Sequence, residues 1–79
     1  MEKQKWTKNQ IQVEVQRQTN QIEEVAEDRS SVRIGTPTRH ETDELGRNWD
    51  IAVISNSTGY IDHIRRIIDS LRAKVELYD

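Results

Sequence analysis

Gly46-Arg47-Asn48-Trp49-Asp50-Ile51-Ala52-Val53-Ile54, followed at once by the amphipathic stretch from Tyr60 to Val75, sets a turn, a strand and a helix in order. Trp49, Ile51 and Val53 share one face of the strand, because successive strand residues point to opposite sides. Just upstream, Glu41-Thr42-Asp43-Glu44-Leu45-Gly46 is rich in turn formers and ends in a glycine able to take a positive φ, so the chain reverses there into a hairpin. The first arm of that hairpin is Val32, Ile34, Thr36 and Thr38 in alternation. It contains Pro37, which has no N–H to give to a ladder, and this predicts an edge strand. A reversal centred between Glu44 and Leu45 sets Trp49 opposite His40, Ile51 opposite Thr38 and Val53 opposite Thr36, all facing the helices.

Downstream, Asn56-Ser57-Thr58-Gly59 is a polar break that offers a helix cap at Ser57 or Thr58. Ile61, Ile64, Ile67, Ile68, Leu71 and Val75 then form a broad apolar helical face. Asp62 with Arg66 and Arg72 with Glu76 stand at i,i+4 spacing on the outer side, and Leu77-Tyr78-Asp79 reads as a tail or last turn.

Toward the N-terminus, residues 1–5 read as a disordered start. Thr7 caps a helix, Gln10 returns the hydrogen bond, and Trp6 packs on Ile11 as a hydrophobic staple. Ile11, Val15, Gln18, Ile22 and Val25 draw one narrow stripe down that helix to about Asp28, where Arg29-Ser30-Ser31 breaks the pattern. A strand competes for the same segment, since Gln10-Ile11-Gln12-Val13-Glu14-Val15-Gln16 alternates polar and β-branched residues, with Asn20 and Glu23 then capping a shorter helix. The favoured reading is an α+β fold in αββα order, two helices packed on an antiparallel hairpin; the alternative is βαββα.

Seventy-nine residues make a single small domain, 1–79, whose core can supply only a few kcal/mol. With no cysteine to staple it, association is the natural remedy, so a homodimer that extends or covers the sheet at its exposed edge is expected. Hydrophobic and charged residues are each 33%, yet the apolar ones are clearly periodic, which favours folding over disorder. The start Met1-Glu2-Lys3-Gln4-Lys5 leads into no apolar core and no run approaches membrane-spanning length, so neither signal peptide nor membrane association is expected and the location reads as cytoplasmic.

His40-Glu41-Thr42-Asp43-Glu44, with His63 brought in by folding, has the side chains of a divalent-metal site but the spacing of no established one; a solvated turn explains it as well. His40, His63, Asp50, Arg39 and Arg47 are the inventory for acid-base chemistry, and any charged small domain has such an inventory. No cysteine, nucleophile elbow or glycine-rich phosphate loop accompanies them, so no enzyme, metal or cofactor is expected. Arg33, Arg39 and Arg47 on the hairpin and Arg65, Arg66 and Arg72 on the last helix would suit nucleic acid if they formed one face free of acids, with Trp6 or Trp49 stacking a base. A net charge of -2 supplies no general field for phosphate, which leaves this as the alternative. The preferred function is a noncatalytic interaction or accessory protein with a protein partner, and the candidate interaction residues are Trp6, Ile11, Val15, Trp49, Arg39, Arg47, Arg65 and Arg66.

Trp6-Thr7 opening a Gln- and Glu-rich helix, Gly46-Arg47-Asn48-Trp49-Asp50 entering a strand, and the closing amphipathic helix together resemble small uncharacterised bacterial and prophage-type proteins. The resemblance spans most of the chain. It implies an architecture and a cellular setting, and brings no activity and no site residues.

Overall fold

The computed structural model describes residues 3–28, 32–56 and 59–78 and shows a mixed α+β fold. In chain order it has β1 (Gln4–Trp6), α1 (Lys8–Asn20), α2 (Glu23–Asp28), β2 (Arg33–Ile34), β3 (Thr38–Arg39), β4 (Trp49–Asp50), β5 (Ile54–Ser55), α3 (Ile61–Arg72) and β6 (Val75–Leu77). Its core gathers Ile11 and Val15 from α1, Val25 from α2, Val32 and Ile34, Trp49 and Ile51, then Ile64, Ile68 and Leu71 from α3, and Val75 and Leu77 from β6.

The first helix begins as its sequence dictates. Thr7 takes extended backbone angles and its hydroxyl accepts from the Gln10 amide, while the Gln10 side chain accepts from the Thr7 amide. The segment in question is thus helix and not strand. It stops at Asn20 and does not run on to Asp28: the Gln21 amide bonds the carbonyls of Gln18 and Thr19, and Ile22 bonds Thr19. The reason is phase. Ile11, Val15 and Thr19 are the buried positions, with Thr19 in place of the expected Gln18, and steps of four rotate steadily round a helix of 3.6 residues per turn. A break before α2 brings Val25 back to the core, with Ile22 packed against it.

Two expectations fail at the termini for a common reason. Gln4–Trp6 is a strand where a disordered start was expected, and Val75–Leu77 is a strand where a helical end and tail were expected; the two pair in parallel, Gln4 with Val75 through Trp6 with Leu77. Only the tertiary fold brings such distant segments together. Met1, Glu2 and Asp79 lie outside the described residues, as do the expected caps Ser57 and Thr58; the N-cap position of α3 is Tyr60, with no side-chain cap bond.

The hairpin is present, with its register one residue from that expected. Trp49 lies opposite Arg39, Asp50 opposite Thr38, and the Gly35 amide bonds the Val53 carbonyl. The turn itself forms over Asp43–Gly46, Gly46 taking φ 79 and Asp43 closing on Arg47. Next to it the His40 amide already bonds the Asn48 carbonyl, so Glu41 and Thr42 bulge from the first arm and shift the pairing. Both arms also change phase together: Val32, Ile34 and then Pro37 are buried on one, Trp49 and Ile51 and then half-buried Ile54 on the other. Thr36, Thr38 and Val53 therefore face outward, Val53 being 66% exposed and not on the face of Trp49 and Ile51.

α3 buries Ile64, Ile68 and Leu71, while Ile61 stays exposed. Arg72 is buried and not on an outer face; its ion-pair partners, like those of Arg65, are Asp50 and Asp69, in place of the expected Asp62–Arg66 and Arg72–Glu76 pairs.

Candidate functional site

Backbone groups at strand edges are the first place to look for a docking site, and here side chains occupy three of those edges. On β2, Gln16 donates to the Val32 carbonyl at 2.9 Å and accepts from the Ile34 amide at 3.0 Å, while Gln12 donates to the Ile34 carbonyl at 2.9 Å. Two glutamines one turn apart on α1 thus imitate a neighbouring strand. On β4, Arg72 donates to the Trp49 carbonyl at 2.7 Å, and just beyond it Arg65 donates to the Ile51 carbonyl at 3.1 Å. On β6, the Asn48 carboxamide exchanges both bonds with Leu77, at 3.1 and 2.8 Å, and the Trp49 indole donates to the Val75 carbonyl at 2.9 Å. The edge of β2, expected to be exposed and to carry the dimer, is covered within one chain. β1 is three residues long and carries exposed Lys5, features that discourage pairing.

The expected site residues separate accordingly. Ile11, Val15 and Trp49 are wholly buried, so in this fold they build the core and present no surface. Arg47 pairs with Asp43 at 2.8 Å, and Arg65 with Asp50 at 3.2 Å and Asp69 at 3.5 Å. Arg39 and Arg66 are exposed, on β3 and α3. The arginines of hairpin and last helix do not form one face free of acids, since Asp43, Asp50 and Asp69 sit among them. Asp43 and Asp50 are held ionised: the Arg47 amide and guanidinium keep Asp43 below the usual carboxylate range, and at Asp50 burial pushes upward but the Ile51 amide and the Arg65 and Arg72 charges outweigh it.

Arg39, His40, Glu41, Thr42 and Asn48 line a polar hollow beside the hairpin turn. Arg72 approaches His40 Nε2 at 3.2 Å, and because a guanidinium only donates, Nε2 accepts and Nδ1 donates to the Glu41 carbonyl at 2.6 Å. Both ring nitrogens are thereby committed, as is the Asn48 carboxamide. His63 lies exposed on α3 and does not line this hollow. Among the described residues no group of three or more His, Asp or Glu is arranged to hold a metal ion, and no helix is long and apolar enough to cross a membrane.

The outer face of α1 is a further candidate, beside the exposed apolar side chains Leu45, Val53, Ile61 and Tyr78 elsewhere on the surface. Val13 stands there 58% exposed, opposite the Ile11–Val15–Thr19 stripe. Two shallow hollows meet at it: Trp6, Gln10 and Glu14 complete one, and Gln12, Gln16, Arg17 and Asn20 the other. Arg17 and Glu14 form a bidentate pair at 2.6 and 2.9 Å, and this bond, with one from Gln18, holds the Glu14 carboxyl down at about 2. Trp6 is the one expected site residue that joins this surface. Val13 escaped the reading because its alternation with Ile11 and Val15 looked like a strand. On a helix the same spacing puts it alone on a polar side, which is the signal for an exposed contact. No protein-family model, no curated protein and no solved structure matches this chain.

Proposed function

We propose that this chain is a noncatalytic interaction protein that presents the outer face of α1, centred on Val13, to a protein partner. The observation that carries this reading is the exposed Val13 at the junction of two shallow hollows, with half-buried Trp6 at one end. An exposed apolar side chain beside an aromatic one, rimmed by Gln, Glu and Arg, is the composition of an interface centre and rim. The alternatives draw less support. His40 and Asn48, the groups of the polar hollow with most chemistry to offer, are engaged inside the fold, and Arg47, Arg65 and Arg72 are matched by carboxylates, which disfavours both an enzyme and a nucleic-acid binder.

A photo-crosslinking residue placed at position 13 in producing cells tests the reading, with the same residue at position 62, exposed on α3, as control. A discrete protein adduct identified by mass spectrometry at 13 and absent at 62 is the expected outcome. Equal labelling at both positions, or none at 13, removes the proposal.

A further inference from the structure

Arg72 is a buried cation whose nitrogens have different neighbours. Nε donates to the Trp49 carbonyl at 2.7 Å, Nη1 stands 3.5 Å from Asp69 and 3.9 Å from Asp50, and Nη2 meets His40 Nε2 at 3.2 Å. Both carboxylates thus lie at Nη1, while the imidazole lies at Nη2. His40 and Arg72 are 32 residues apart in sequence, so this contact ties the first arm of the hairpin, at the Glu41–Thr42 bulge, to the end of α3.

The contact exists only while Nε2 keeps a free lone pair. An imidazole that gains a second proton carries N–H on both nitrogens, which leaves nothing to accept from a guanidinium and sets two cations face to face. Nδ1 offers no replacement, since it already donates to the Glu41 carbonyl at 2.6 Å. We infer that His40 is a proton-operated latch between the hairpin and α3: the neutral ring closes it on Arg72, and protonation releases the ring and the Glu41–Thr42 bulge from the helix. This device is separate from the α1 surface and does not depend on it. The charged groups around the ring fix its direction. Arg39 and Glu41 stand beside it on its own arm, α3 brings Arg72 and Asp69, β4 brings Asp50, and the N-terminal segment brings Lys3, whose ammonium holds the Arg72 carbonyl. Asp50 and Asp69 are shared with Arg65, and Asp43 in the turn is taken by Arg47. The closed form therefore holds one proton fewer than the released form, and lowering the pH through the ordinary histidine range favours release. Asp50 stays ionised throughout that range, so the imidazole is the member of the cluster that changes.

Long-range proton–nitrogen correlation NMR of the histidine rings in the intact chain reads the latch directly. At about pH 7.5 the His40 ring should carry its hydrogen on Nδ1 and leave Nε2 bare. On lowering the pH to about 5 the ring should protonate, and the exchange protection of the His40 amide, which donates to the Asn48 carbonyl, should fall by about tenfold after correction for intrinsic exchange. His40→Gln keeps an oxygen that can accept from Arg72 and has no proton to gain, so its residue-40 amide should hold its protection over the same range. His63→Gln, on the exposed side of α3, should leave the fall as it is. A His40 ring with its hydrogen on Nε2 at neutral pH overturns the inference. So does a ring that protonates with no loss of amide protection, or a loss that persists in His40→Gln.

Discussion

Gly35 shows how much one missing side chain can decide. A Cβ built there would lie 2.6 Å from the Val53 carbonyl oxygen and 2.9 Å from the Val53 Cβ, so the two arms of the hairpin approach too closely for any other residue. This is the point where both arms change phase, which lets Ile34 and Ile54 pair on one side of the change while Trp49 and Ile51 stay inside on the other. Gly35→Ala should therefore destabilise the protein by about 1–3 kcal/mol, the usual cost of overpacking, read as a lower urea midpoint with unchanged slope. Asn48 is decisive in a different way. Its carboxamide presents to Leu77 the same donor and acceptor as a peptide group, and so joins the hairpin to β6 without a backbone bond.

α1 uses three sides for three tasks: Ile11, Val15 and Thr19 face the core, Gln12 and Gln16 face β2, and Val13 with Arg17 faces outward. The glutamine side is an instance of edge protection, since β2 would otherwise offer backbone groups to another chain. Gln16→Leu keeps the bulk and removes the bonds. It should cost about 1–2 kcal/mol, because the Ile34 amide and Val32 carbonyl lose their partner, and should speed exchange of the Ile34 amide by about tenfold. An unchanged exchange rate at Ile34 would show that the seal contributes nothing. α3 closes in a comparable manner: the Lys3 ammonium donates to the Arg72 carbonyl at the helix end and to the Gly46 carbonyl in the hairpin turn, tying three elements with one cation.

Across the molecule as a whole, three of the paired carboxylates share one direction of shift. Glu14, Asp43 and Asp50 all titrate below their ordinary values in the folded chain. As pH falls the unfolded chain takes up protons first, so their stabilisation is complete above the ordinary carboxylate range and is lost as pH drops through the folded values. For Glu14 that window runs from 4.5 down to about 2. These carboxylates should thus leave the urea midpoint flat near neutrality and lower it over this acid range. Asp50→Asn should lower the neutral plateau by about 1–2 kcal/mol, since it weakens a bond to Arg65 and removes the charge facing buried Arg72, and should make the acid fall shallower. The overall shape, 37 × 21 × 19 Å, is consistent with open hollows, because its thickness is about two layers of secondary structure at roughly 10 Å each.

Local chemistry alone determined the α+β class, the Thr7–Gln10 capping box, the turn ending in Gly46 and the amphipathic α3, because each depends on residues within a few positions of one another. The same locality explains why Val13 was legible as apolar yet not as a surface residue: period two and period 3.6 both fit so short a run. Tertiary structure decided the rest. β1 and β6 exist only as each other's partner across nearly the whole chain, and the register of the hairpin follows from the close approach at Gly35 and the bulge at Glu41 and Thr42. The edge caps of Gln12, Gln16, Asn48 and Arg72 are ordinary polar side chains in the sequence. Only a backbone group brought within 3.2 Å by folding gives each of them a task.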